Sequence, residues 1–89
     1  EASATAGFAY GIIKAVRKRY LSADYLPTGL NALRGVIANI DEEGELKQVS
    51  FGTAMGSDLD YYRTVPLTSM PYGQAMALLC LTEYLRVYL

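Results

Sequence analysis

Two carboxylates close together in the sequence, Asp58 and Asp60, are the first candidates for acid–base chemistry. In an extended segment, residues two positions apart point to the same side, so both side chains would serve one site. Aspartate also caps turns by accepting hydrogen bonds from nearby backbone N–H groups. The pair is therefore interpreted either as an acid–base site or as turn caps.

Three tyrosines near this pair, Tyr61, Tyr62 and Tyr72, are candidate substrate-binding residues. A tyrosine ring has an apolar face that can stack on a sugar ring, and its hydroxyl can hydrogen-bond to the same ligand. The alternative is that at least one of Tyr61 and Tyr62 packs beneath the surrounding loop. The tyrosines are therefore interpreted either as residues that line a sugar-binding site or as residues that pack beneath the loop.

Arg63 is the candidate for recognising an acidic substrate, because a guanidinium can donate two parallel hydrogen bonds to a carboxylate. The alternative is a surface ion pair with Asp58 or Asp60.

Ser3, like Thr5, lies at a predicted helix start, where its hydroxyl could either contact a ligand or cap the helix.

Composition excludes several classes of function for this chain of 89 residues. It contains no histidine, which removes a His-based general base, a Ser-His-Asp triad and most zinc sites, so no metal or cofactor is predicted. Cys80 is the single cysteine and is expected in the core. The net charge of −1 argues against nucleic acid. The apolar run from Ala75 to Leu81 is shorter than the roughly 20 residues of a membrane helix, and no secretory leader is evident.

The segment 51–72, which carries most of these candidates, has neither helical nor strand periodicity. It contains glycines and prolines but too many apolar side chains for a segment that stays solvated. Long loops in compact domains are commonly functional. We therefore predict an ordered functional loop, preceded by residues 45–51, whose partial alternation allows a short strand.

Three helices must position this loop. The apolar spacing predicts them over about 3–20, 25–40 and 71–87, within one segment that covers 1–89. Ser3 or Thr5 is expected to cap the first, and Asp24 the second, with Pro27 in its first turn. The basic residues at the end of the first helix are interpreted as a solvated helix end, with an anion site as the alternative; they are Lys14, Arg17, Lys18 and Arg19. The fold class is all-α.

The third predicted helix, 71–87, has apolar residues around nearly its whole circumference. A helix of this type is buried on most sides, and two further helices are too few to cover it. The remaining cover must come from more of the same polypeptide or from a second copy.

Five short motifs in order give the chain a family resemblance; they are Ser3-Ala4, Gly52-Thr53, Tyr61-Tyr62, Tyr72-Gly73 and Ala77-Leu78-Leu79. Together they resemble the C-terminal portion of the unsaturated rhamnogalacturonyl and unsaturated glucuronyl hydrolases, glycoside hydrolase families 105 and 88. The resemblance covers nearly the whole chain. It implies a fragment of an (α/α)6 toroid, the six-hairpin glycosidase fold, in which inner and outer helices alternate.

The resemblance also implies a reaction. These enzymes act on oligosaccharides with an unsaturated uronic acid, released by polysaccharide lyases, and an aspartic acid protonates the vinyl ether and directs water onto it. The family's catalytic aspartates lie on earlier hairpins, so no catalytic residue is assigned in this segment. Thr53, in the matched Gly52-Thr53 element, joins the substrate-binding candidates. The implied location is the cytoplasm or periplasm of a bacterium.

Two other functions stay open from the residues alone. One is a non-catalytic helical module that self-assembles through its third helix. The other is a carbohydrate-binding helical domain that uses the tyrosines without chemistry.

Overall fold

The computed structural model describes residues 1–88, and four helices and two short strands account for most of them. The helices are α1 (Ala2–Arg17), α2 (Leu26–Ala38), α3 (Leu59–Arg63) and α4 (Pro71–Tyr88), and a 3-10 turn at Ala23–Tyr25 precedes α2. Strands β1 (Val49–Ser50) and β2 (Leu67–Thr68) pair antiparallel, with Val49 opposite Thr68 and Ser50 opposite Leu67.

Helix α1 lies between α2 and α4 and contributes the centre of the core. Its residues Ala6, Ala9 and Ile13 recur at three- and four-residue spacing, and all three are fully buried. Small side chains on this face let the neighbouring helices approach closely. The core is completed by Leu33 and Val36 of α2, Leu46, Val49 of β1, and Ala77 and Cys80 of α4.

The start of α1 differs from the expectation, because Glu1 rather than Ser3 or Thr5 caps the helix. The Oε1 atom of Glu1 accepts a hydrogen bond from the N–H of Ala4 at 2.9 Å. Ser3 lies inside the first turn, and its hydroxyl donates to the Glu1 carboxylate. The prediction of a Ser3 or Thr5 cap was wrong because the longer carboxylate of Glu1 reaches the free N–H group first.

Helix α1 ends three residues before the predicted boundary at 20. Arg19 adopts a left-handed conformation with φ 64°. The N–H of Arg19 donates to the Val16 carbonyl, and the N–H of Tyr20 donates to the Ala15 carbonyl. These two bonds form a Schellman motif, which satisfies the last carbonyls of the helix and turns the chain away.

Helix α2 begins without the predicted Asp24 cap. Ser22 instead caps the 3-10 turn by accepting a hydrogen bond from the N–H of Asp24 at 3.2 Å. The residue before α2, Tyr25, makes no side-chain cap, and Pro27 lies in the first turn as expected. The prediction for Asp24 was wrong because the chain takes a tight turn before it enters the helix.

One side of α4 packs on α1, and the opposite side is apolar and exposed. Gly73, Ala77, Cys80 and Glu83 form the buried side. The exposed side carries large apolar residues, namely Leu78 at 60%, Leu79 at 45% and Leu85 at 51% exposure. The two other long helices therefore do not cover α4. Within the described residues, no helix combines the length and apolar character needed to cross a membrane.

Candidate functional site

Ser50 is the centre of a polar cluster that connects α1, β1 and α4. Its N–H donates to Oε2 of Glu1 at 2.5 Å, and its hydroxyl lies 2.7 Å from the hydroxyl of Thr53. The Tyr72 hydroxyl donates to the Ser50 carbonyl oxygen. Ser3 joins through its hydrogen bond to Glu1. These five residues, Glu1, Ser3, Ser50, Thr53 and Tyr72, are called the Ser50 cluster below.

Local backbone geometry brings β1 to the start of α1. Gln48 adopts a left-handed conformation with φ 63°, and its carbonyl accepts a hydrogen bond from the N–H of Ala2 at 2.7 Å. The following residue, Val49, is fully buried. A Cβ atom on Gly73 would lie 2.6 Å from a methyl group of Val49, so only glycine lets the start of α4 approach this closely.

The Ser50 cluster is buried at its centre and accessible at its edge. Ser50 is 8% exposed, whereas Tyr72 is 44% exposed, and Thr53 is also exposed. Burial alone would raise the pKa of the Glu1 carboxyl. Hydrogen bonds from the N–H groups of Ser50 and Ala4 and from the Ser3 hydroxyl outweigh that effect and lower the pKa below its ordinary value.

A second group of candidates lies on the short helix α3. Tyr61 and Tyr62 pack edge to face, with ring centroids 5.3 Å apart and an interplanar angle of 82°. The hydroxyl of Tyr62 accepts a hydrogen bond from the N–H of Gly56 at 2.9 Å. Both rings keep accessible surface, with exposures of 37% for Tyr61 and 42% for Tyr62. They are therefore partly free to contact a ligand, as is Arg63, which is exposed.

Asp58 and Asp60 each have a structural partner. The Asp58 carboxylate caps α3 by accepting a hydrogen bond from the N–H of Tyr61 at 3.0 Å, which is the turn-capping alternative. Asp60 accepts from Nη1 of Arg63 at 3.1 Å in an exposed ion pair. The geometry therefore favours capping and surface pairing over acid–base chemistry for these two residues.

The structure thus divides the predicted binding residues into two groups, with Ser3, Thr53 and Tyr72 in the Ser50 cluster and Tyr61, Tyr62 and Arg63 on α3. Sequence reasoning missed Glu1 and Ser50, which connect the first group. A carboxylate directly before the first helical residues was a usable signal for Glu1. Nothing in the sequence around Ser50 indicates that its backbone would meet Glu1, 49 positions away.

An ion-pair cluster joins the C-terminal ends of α1 and α4. Glu83 is 1% exposed, and its two carboxylate oxygens lie against Arg17 and Arg86. The interpretation of Arg17 as part of a solvated helix end was wrong, because α4 places a buried carboxylate beside it. Among the described residues, no group of three or more cysteine, aspartate or glutamate side chains is arranged to hold a metal ion.

Comparison with known proteins places the chain in a family. A sequence profile described as Glycosyl Hydrolase Family 88 matches residues 1–88. A search of curated proteins gave no match. One similar crystal structure is a possible member of the GH105 family from Klebsiella pneumoniae subsp. pneumoniae, with 70% identity, a TM-score of 0.93, and coverage of 100% of this chain and 23% of that chain.

Two further solved structures are also similar to this chain. A possible GH105 member from Salmonella enterica subsp. enterica serovar Paratyphi A has 68% identity and a TM-score of 0.94, and the match covers 100% of this chain and 24% of that one. A family 105 glycoside hydrolase from C. acetobutylicum has 26% identity and a TM-score of 0.85, with coverage of 97% and 27%. The chain spans about a quarter of the length of these relatives. The predicted resemblance and fold class are confirmed: the chain belongs to glycosyl hydrolase family 88, and its fold is that of a segment of an (α/α)6 toroid.

Proposed function

We propose that this chain is the C-terminal part of a hydrolase of unsaturated uronyl oligosaccharides, the products of polysaccharide lyases. In this proposal it supplies substrate-binding groups, and the aspartic acid that protonates the substrate belongs to an earlier part of the polypeptide. The observation that carries the proposal is the Ser50 cluster, which gathers Ser3, Thr53 and Tyr72 at the N-terminal ends of α1 and α4 in a member of a glycoside hydrolase family.

The exposed groups have the chemistry needed to bind an acidic sugar. Tyr61 and Tyr62 present partly exposed rings for stacking. Arg63 exchanges its exposed partner Asp60 for a substrate carboxylate at little cost, because such surface pairs contribute under about 1 kcal/mol. Thr53 and Tyr72 are both exposed, so their hydroxyls can hydrogen-bond to the sugar, that of Tyr72 as an acceptor because it donates its proton to the Ser50 carbonyl.

The proposed reaction begins at the vinyl ether of the unsaturated uronic acid. A proton from an aspartic acid outside this chain adds to C4, and water then adds to the C5 cation and releases its own proton. The resulting hemiketal opens, the glycosidic bond at C1 breaks, and the linked sugar leaves with a proton. This route differs from direct displacement at C1 by two carboxylates.

The partner of the exposed side of α4 in this proposal is the rest of the same polypeptide. The support is that the chain spans about a quarter of its structural relatives. The exposed leucines Leu78, Leu79 and Leu85 form a surface that an adjacent helical hairpin would bury. The segment alone is therefore expected to bind weakly and not to turn over substrate.

The test uses the full-length polypeptide that contains this chain. It is incubated in D2O with an unsaturated uronyl disaccharide and, separately, with its saturated counterpart. We expect loss of the ultraviolet absorbance of the double bond and deuterium at C4 of the uronic acid product. Product mixed with D2O without enzyme controls for later exchange.

Three other results would contradict the proposal. Equal cleavage of the saturated sugar would indicate ordinary displacement at C1. Binding without turnover would favour a carbohydrate-binding module. Concentration-dependent self-association without sugar binding would favour a self-assembling module.

A further inference from the structure

We infer that Glu1 is a positioning residue for substrate binding: its carboxylate holds the segment Ser50–Thr53 against α1 and so fixes the Thr53 and Tyr72 hydroxyls in their binding arrangement. The inference rests on the proposed function, because it concerns the substrate contacts assigned above. It assigns a role to a residue that the sequence pattern did not single out.

The two carboxylate oxygens of Glu1 have different tasks. Oε1 accepts the N–H of Ala4 at 2.9 Å, which is the helix cap. Oε2 accepts a hydrogen bond at 2.5 Å from the N–H of Ser50, a residue 49 positions further along the chain. The Ser3 hydroxyl donates to this carboxylate at 2.8 and 2.9 Å and holds its orientation. Capping alone would need only the first oxygen.

The Ser50 N–H has no partner in the sheet, because β1 pairs with β2 on its other side. The next amide, that of Phe51, donates to the Pro66 carbonyl at 3.0 Å. Successive amides of an extended strand point in opposite directions, so the Ser50 N–H points away from β2. Glu1 therefore takes the place that a third strand would occupy and satisfies a donor on a residue that is only 8% exposed.

The binding hydroxyls depend on this anchor through Ser50. Thr53 lies 2.7 Å from the Ser50 hydroxyl, and the Tyr72 hydroxyl donates to the Ser50 carbonyl. If Ser50 moves away from Glu1, both hydroxyls lose the hydrogen-bond partner on Ser50 that fixes their positions. Neither hydroxyl is predicted to take part in proton transfer, so the loss should weaken substrate binding and leave the chemical step intact.

The decisive variant is Glu1→Asp in the full-length protein. Aspartate is a good helix cap and keeps the negative charge, but it is one methylene too short to hold both Ala4 and Ser50. We expect a slightly lowered melting temperature, because the Ser50 N–H loses its partner, together with a KM raised roughly tenfold and a kcat within about twofold of the wild type. Glu42→Asp is the matched control, because Glu42 lies exposed in the turn after α2. A wild-type KM in Glu1→Asp would overturn the inference, as would a KM rise matched by Glu42→Asp.

A second readout separates this inference from the proposed function. Hydrogen–deuterium exchange of peptides covering residues 49–58 is compared between the wild type and Glu1→Asp. We expect faster exchange in the variant, because the Ser50 segment has lost its anchor. If the wild type does not turn over the unsaturated disaccharide, the proposed function fails, while faster exchange still supports the anchor. Unchanged exchange overturns the role of Glu1 in either case.

Discussion

Glu83 of α4, with 1% exposure, forms an ion pair with Arg17 of α1, so that a charged contact lies within the interface of the two central helices. Its second carboxylate oxygen is 3.5 Å from Nη1 of Arg86. Both oxygens of the buried carboxylate thus have a cationic partner, which offsets the cost of removing the charge from water.

Removal of Arg17 should destabilise the full-length protein. Arg17→Ala leaves the buried Glu83 with the more distant Arg86 alone, and we expect a loss of about 3 kcal/mol in the free energy of unfolding. The double variant Arg17→Leu with Glu83→Leu should recover most of that loss, because no buried unpaired charge remains and the remaining cation, Arg86, is exposed. Denaturant unfolding measures both. Arg63→Ala, which breaks an exposed pair, is the control and should cost under about 1 kcal/mol; similar losses for Arg17→Ala and Arg63→Ala would contradict the prediction.

Gly73→Ala should loosen the contact between α4 and β1. The new methyl group would lie 2.6 Å from Val49, so the helix must shift, at a cost of about 1–3 kcal/mol. Gly11→Ala is the matched control, since a Cβ at this helical position meets nothing within 4 Å; it should stabilise by up to about 1 kcal/mol. Thermal melting compares the two variants. Val49→Ala combined with Gly73→Ala should cost less than the sum of the single changes, and strict additivity would argue against the contact.

Arg19→Gly should stabilise the protein. Arg19 holds a left-handed conformation with φ 64° at the end of α1, where glycine has no steric penalty. We expect a gain of about 1 kcal/mol. Arg19→Val should have the opposite effect, because a β-branched residue tolerates this conformation poorly. The melting temperatures should rank glycine above arginine above valine, and any other order would refute the assignment of the Schellman motif.

The anchor formed by Glu1 should weaken at acidic pH. Because the folded-state pKa of its carboxyl is lowered, its contribution to stability is fully present above the ordinary value of 4.5 and is lost as pH falls through the lowered folded pKa. The amide proton of Ser50 should report this by NMR as a shift with a midpoint below 4.5. Glu1→Gln should abolish that titration, and a midpoint above the ordinary value would show that burial outweighs the hydrogen bonds.

Leu79→Glu tests whether the rest of the polypeptide covers α4. Leu79 is 45% exposed in this chain, so a charge here would be tolerated if the surface stayed in water. Beneath a helical hairpin, the unpaired charge would be buried, and we expect a loss of several kcal/mol or failure to fold. Tyr20→Glu is the control on the exposed link after α1. Equal stability of the two full-length variants would mean that this side of α4 is uncovered.

Much of the architecture was determined by the sequence itself. The spacing of apolar residues predicted the three long helices α1, α2 and α4, and the apolar circumference of α4 indicated missing cover. Helical periodicity is a local property, which the chain displays before it folds. The ordered motifs, from Ser3-Ala4 to Ala77-Leu78-Leu79, likewise identified the family.

The connections between distant residues were decided only by the tertiary structure. Glu1 meets Ser50 across 49 positions and Arg17 meets Glu83 across 66 positions. No local periodicity reports such pairs, because they depend on how α1, β1 and α4 pack. The same packing separates the binding candidates into the Ser50 cluster and the α3 group. Ser50 forms hydrogen bonds with residues at the ends of two helices, whereas Asp58 caps α3 locally.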